Sequence, residues 1–113
     1  MARILLVDDD DQVRNAYAAF LRAEGYTVLT ANDGDEALPL LEGIEWDLLI
    51  TDLRMRRMHG GELCRQAKEK FPDLPILMIT GSLPPEDCRA DVVIGKTAER
   101  IELLEEVSKL IKK

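Results

Sequence analysis

The apolar run Ile4-Leu5-Leu6-Val7 passes directly into four consecutive aspartates, Asp8 to Asp11. A second apolar run, Leu48-Leu49-Ile50-Thr51, ends at another aspartate, Asp52. Both runs are strand-like, and each delivers a carboxylate at its C-terminal end. Together they predict an acidic pocket on one rim of a parallel sheet, the rim where open α/β folds bind ligands. Clustered carboxylates repel, so each disfavours the ionised form of its neighbours unless a cation joins them. A small hard divalent cation such as Mg²⁺ takes oxygen ligands and neutralises such a cluster.

The rest of the chain alternates short apolar runs with longer amphipathic segments, a pattern that favours βα units around a parallel sheet. Strands are expected at residues 3–7, 27–31, 47–51, 75–79 and 91–94. All but the second are near-continuous Val, Ile and Leu, as in strands buried on both faces; the second reads as an edge. Helices are expected at about 11–23, 34–41 and 61–70, with a last one starting at Thr97 as N-cap. Val13, Tyr17, Phe20 and Leu21 share a face of the first, and Gly25 supplies its stop. Asp33 and Glu36 resemble a capping box for the second, while Pro39 inside it predicts a kink or an irregular first turn. Phe71-Pro72 closes the third. Ile101, Leu104, Val107, Leu110 and Ile111 follow helical spacing in the last. Fifteen residues, 81–95, separate Thr80 from Lys96 and must still supply a strand, so a full fourth crossover helix hardly fits. Residues 81–91 are expected to be largely irregular, with at most a short helical piece near 85–89 after Pro84-Pro85.

A chain of 113 residues supports a single domain spanning residues 1–113. No apolar run approaches the roughly 20 residues a spanning helix needs, and early charges at Arg3 and Asp8 leave no signal-peptide core. A cytoplasmic location is expected. The net charge of −7 argues against direct contact with nucleic acid or anionic membranes, which need clustered Lys and Arg. Cys64 and Cys88 form no CxxC pair and read as reduced thiols.

Thr80 ends the run Ile76-Leu77-Met78-Ile79, and Lys96 follows Val92-Val93-Ile94-Gly95. In a sheet of order 2-1-3-4-5, both sit on the rim that carries Asp8, Asp9 and Asp52. A cation and a hydroxyl facing a metal-carboxylate cluster suit a phosphoryl group, whose transfer needs positioning and charge neutralisation. Arg54, Arg56, Arg57 and His59 form a basic cluster near that rim. They read as a solvated loop in preference to a binding site for an acidic partner.

With these residues in place, the chain resembles the receiver domain of bacterial two-component response regulators. The anchors are Ile4 to Asp9, Asp52-Leu53-Arg54-Met55, Met58 to Leu63, Thr80-Gly81 and Gly95-Lys96. The resemblance implies a flavodoxin-like, doubly wound five-stranded parallel sheet of order 2-1-3-4-5, its fourth helix short or absent. It implies Asp52 as phosphoacceptor, and Asp8, Asp9 and Asp52 with the Arg54 carbonyl as Mg²⁺ ligands. Thr80 becomes the hydroxyl that meets the phosphoryl group, and Lys96 the cation that pairs first with Asp52 and then with phosphoryl oxygens. The implied partners are a sensor histidine kinase or histidine phosphotransfer protein and a downstream protein. The domain would catalyse only its own phosphorylation and dephosphorylation, and would act as a monomer. Arg56 and Thr97 stand where the family usually has proline, and Val93 where it usually has an aromatic. With the shortened fourth crossover, these departures alter the family's usual signalling surface. One alternative is a pseudo-receiver that binds partners without phosphorylation. Another is a small aspartyl-phosphate hydrolase, suggested by the D-x-D-x-V pattern of Asp9 to Val13.

Overall fold

In the computed structural model, which describes residues 2–55, 57–81, 88–96 and 100–111, the strands are β1 (Arg3–Val7), β2 (Thr27–Ala31), β3 (Leu48–Asp52), β4 (Ile76–Thr80) and β5 (Val92–Gly95). The helices are α1 (Asp11–Ala23), α2 (Gly34–Leu41), α3 (Gly60–Lys70) and α4 (Arg100–Ile111). All strand pairs are parallel, in the order β2-β1-β3-β4-β5. This is the doubly wound sheet expected from the sequence, with β2 at an edge.

Alternate strand residues face opposite layers, as the period of a strand requires. Leu5, Val7, Leu49, Ile76 and Met78 pack with Ala37 and Leu41 of α2 and with Leu63, Cys64 and Ala67 of α3. Ile4, Leu6, Leu48, Ile50, Leu77, Ile79 and Ile94 pack with Ala18 and Leu21 of α1 and with Leu103, Val107 and Leu110 of α4. Burial on both faces explains the continuous apolar runs of β1, β3 and β4.

Three strands begin and end one residue later than expected. Asp47 is spent before β3 starts: its carboxylate accepts the Arg3 N–H at 2.7 Å, and its own N–H donates to the Arg3 carbonyl at 2.9 Å. Asp91 does the same before β5, accepting the Ile76 N–H at 2.7 Å and the Lys68 ammonium at 2.9 Å. The expectation that β5 is buried on both faces is corrected. It is the second edge strand, only its Ile94 is buried, and Val93 is 38% exposed.

Asp10 caps α1, accepting the N–H groups of Gln12 and Val13. Gly25, at φ 94°, terminates that helix in a conformation that suits glycine. Asp33 caps α2 by accepting the Glu36 N–H at 2.9 Å, so the first turn is regular, and the helix runs through Pro39 for two further residues. The return arm of the capping box is displaced: the Glu36 carboxylate accepts from Asn32 rather than from Asp33. On α4 the core face is Leu103, Val107 and Leu110, whereas Ile101 is 64% exposed. The proposed cap Thr97, Arg56, and most of the 81–91 segment lie outside the described residues; residues 88–91 carry no helix.

Candidate functional site

Strand register builds the site. Val7 pairs with Thr51, so Asp8 lies level with Asp52. Asp52 pairs with Ile79, which brings Thr80 to the same rim one residue on, and Thr80 pairs with Gly95, which places Lys96 beside it. Asp8, Asp52 and Thr80 are buried, with Asp8 only 2% exposed. Asp9 is partly exposed, and one oxygen from each of Asp8, Asp9 and Asp52 lies within 4.8 Å of the others. The Lys96 Nζ stands 3.0 Å from Asp52 Oδ2 and 4.0 Å from Asp8 Oδ2. A backbone bond from Lys96 N–H to the Thr80 carbonyl, at 3.0 Å, fixes the lysine's position at the end of the sheet.

These distances set the electrostatics. Burial pushes the Asp8 carboxyl up from its ordinary value. The Asp10 N–H and the Lys96 charge oppose that shift, while Asp52 and Asp9 add to it. Burial works against the Lys96 charge, but the Asp52 hydrogen bond and the Asp8 and Asp52 charges outweigh it and raise the ammonium's value. Tyr17 of α1 borders the same field. Its hydroxyl is raised by burial and by the Asp8 and Asp52 charges. Lys96 offsets one of three negative charges, which leaves a cluster of hard oxygen donors that fits a divalent cation.

Of the aspartates in the opening run, only Asp8 and Asp9 join this cluster. Asp10 caps α1, and Asp11 pairs with Arg14 at 2.7 Å on the surface. The second acid of the D-x-D-x-V pattern is therefore turned away from the cluster, which counts against the hydrolase alternative. Arg54 and His59 line an opening of about 440 Å³ beside Asp9 and Met55, whereas Arg57 faces Asp33 at 3.9 Å. A cleft of about 780 Å³ near Trp46 and Phe71 lies at the other end of the sheet, among the loops that precede β3 and β4.

Two supporting residues carry no role in the sequence reading. Gly60 packs so tightly on the phosphoacceptor candidate that an added Cβ would stand 2.1 Å from the Asp52 carbonyl oxygen. Its N–H donates to the Leu53 carbonyl at 2.7 Å, and the Thr51 hydroxyl donates to the Asp52 carbonyl at 2.9 Å. Arg14 reaches back from α1 to the Asp8 carbonyl at 3.0 Å and also holds Asn32. Gly60 stands inside one of the anchors named above; nothing in the sequence marks Arg14.

A family model described as the response regulator receiver domain matches residues 4–108. The chain belongs to that family. Among curated relatives, a response regulator MprA of Mycobacterium leprae is 38% identical over 98% of this receiver chain and 51% of its own length. An MprA of Mycobacterium ulcerans is 46% identical over 69% of this chain and 34% of its own. The chain thus spans between a third and about half of the length of these relatives. Among solved structures, a CheY-like receiver domain protein from Methanospirillum hungatei superposes with a TM-score of 0.93 at 30% identity, covering 99% of this chain and 94% of that one. The response regulator TrrA of Thermotoga maritima, solved in complex with Mg²⁺-BeF, gives a TM-score of 0.91 at 33% identity, covering 97% and 99%. The receiver's acidic pocket is compatible with Mg²⁺ and phosphorylation, and among the described residues no helix is long and apolar enough to cross a membrane.

Proposed function

We propose that this receiver domain accepts a phosphoryl group on Asp52 from the phosphohistidine of a sensor histidine kinase or a histidine phosphotransfer protein. The observation that carries the reading is the Asp52 carboxylate, buried at a strand end with the Lys96 ammonium 3.0 Å away and two further carboxylates within 4.8 Å. An Asp52 Oδ attacks phosphorus in line as the donor's phosphorus–nitrogen bond breaks, and the imidazole leaves with its electron pair. Lys96 holds Asp52 in place before transfer and then meets a phosphoryl oxygen. Thr80, one residue further along the rim, offers its hydroxyl to another. Asp8, Asp9 and Asp52, with the Arg54 carbonyl, are the residues that would hold Mg²⁺; bound there, the ion neutralises charge on the transferring group.

Loss of the acyl phosphate to water returns the free carboxylate, so the domain acts on itself and turns over no separate substrate. Signalling then passes to a protein partner; the net charge of −7 disfavours direct binding of nucleic acid. We place the domain in the cytoplasm, as a monomer, with residues 1–113 forming one receiver unit. The Mg²⁺-BeF complex of TrrA supports the metal assignment, and solved receiver domains of histidine kinases, one from Syntrophus aciditrophicus at 28% identity, support the kinase link. The test is intact mass after incubation with acetyl phosphate and Mg²⁺. One phosphoryl group should be added to the parent and none to Asp52→Asn; an unchanged mass shift in Asp52→Asn overturns the assignment.

A further inference from the structure

Asp8 to Asp11 are four chemically equivalent neighbours, yet only Asp8 and Asp9 of the four join Asp52. The turn that follows β1 makes the choice, and Arg14 is tied to both ends of that turn. Its Nη1 donates to the Asp8 carbonyl at 3.0 Å and to Asn32 Oδ1 at 2.6 Å, and its Nη2 donates to Asp11 Oδ1 at 2.7 Å. One planar guanidinium thus joins the first and last aspartates of the run to the connection between β2 and α2. The Arg14 side chain is only 12% exposed. Asn32 is held in turn, its Nδ2 donating to Glu36 Oε2 at 3.2 Å. The Asp8 N–H donates to the Ala31 carbonyl at 3.2 Å, and the Asp10 N–H donates to Asp8 Oδ1 at 2.9 Å. With its N–H, its carbonyl and one carboxylate oxygen fixed, Asp8 turns Oδ2 toward Lys96, 4.0 Å from Nζ.

We propose that Arg14 is a positioning residue for the metal site. By clamping the Asp8 carbonyl to Asp11 and Asn32, it fixes which carboxylates of the acidic run ligate a divalent cation. The inference rests on the reading that Asp8, Asp9 and Asp52 hold Mg²⁺.

The Arg14 charge does not do this by attraction, because a guanidinium beside the cluster repels a cation. Loss of the charge alone would tighten Mg²⁺ binding. Loss of the clamp weakens it, by about 10–100-fold where a partner that orients a ligand is removed. The two effects have opposite signs.

The test titrates the full chain with Mg²⁺ by calorimetry, beside urea denaturation in EDTA to establish that each variant is folded. Arg14→Met should raise the Mg²⁺ Kd about 10–100-fold. Arg14→Lys keeps the charge without the planar fork, and should raise Kd by a smaller factor. Asn32→Ala, at an exposed position, removes one acceptor of the clamp and should also raise Kd. An equal or tighter Kd in Arg14→Met would overturn the proposal, even with lower stability in EDTA, because Arg14 would then serve the fold alone. A parent Kd in Arg14→Lys would overturn the role of the fork. Should Arg14→Met not fold, a parent Kd in Asn32→Ala overturns the proposal. A parent that binds no Mg²⁺, or binds it unchanged after Asp8→Asn, would remove the metal site itself and the inference with it.

Discussion

Replacing Asp8 with Asn should make the metal-free domain more stable while removing its response to Mg²⁺. Asp8 is 2% exposed, and its carboxylate lies within 4.8 Å of both Asp9 and Asp52. At an effective dielectric of about 20, each such pair repels by about 3 kcal/mol. Lys96, 4.0 Å away, returns about 4 kcal/mol of attraction on the same scale. Repulsion therefore exceeds attraction by roughly 2–3 kcal/mol, and solvent around the partly exposed Asp9 reduces this to about 1–3 kcal/mol. An Asn oxygen still accepts the Asp10 N–H that Asp8 binds at 2.9 Å, so the loop keeps its turn.

Urea denaturation in EDTA should show the variant more stable by about 1–3 kcal/mol, or roughly 4 °C in Tm per kcal/mol. Saturating Mg²⁺ should stabilise the parent by about 3 kcal/mol at a hundredfold excess over Kd, and the variant by much less. The pH dependence has a definite sign. The Asp8 pKa is raised on folding. Its contribution to stability is therefore fully present below the unfolded carboxyl value, about 4, and is lost as pH rises through the folded value. In EDTA the parent should lose stability over that window, and Asp8→Asn should lack this loss. A variant equal to or weaker than the parent in EDTA would show that the carboxylates are not in mutual repulsion.

Three further outcomes follow from single contacts. Gly60→Ala should cost about 1–3 kcal/mol by overpacking, because its Cβ would meet the Asp52 carbonyl oxygen and lie 2.8 Å from Leu53 Cα; it should also slow acetyl phosphate labelling, read by urea denaturation and mass. Lys96→Ala should leave the domain folded, since that side chain is 34% exposed, yet slow phosphorylation at least about tenfold through loss of charge on the transferring group; equal labelling rates would refute its role. Asp10→Ala should cost about 1 kcal/mol through loss of the α1 cap, while phosphorylation proceeds at the parent rate; a large drop in labelling would mean that Asp10 serves the acidic site.

The element pattern is legible in the sequence because burial on both faces leaves continuous apolar runs in β1, β3 and β4, and because the cap at Asp33 and the stops at Gly25 and Phe71 act locally. The rim residues Asp8, Asp9, Asp52, Thr80 and Lys96 are legible for the same reason: each follows or ends an apolar run, and parallel strands point their C-terminal ends the same way. Spacing along the chain says nothing about distance across the sheet. Register alone decides that Asp8 is level with Asp52 and that Lys96 reaches Asp52 at 3.0 Å. Local patterns also mislead where a neighbour decides. The sequence places Ile101 on the α4 core face, yet Leu103 packs inward there. An unbroken apolar run marks β5 as buried, yet a strand at the sheet edge leaves Val93 exposed. Gly60 against the Asp52 carbonyl and Arg14 against the Asp8 carbonyl are contacts between elements, created only when the sheet and its helices pack. Hydrophobic order and local capping are written in the chain, whereas the reach of one charge to another is fixed by strand register and helix packing.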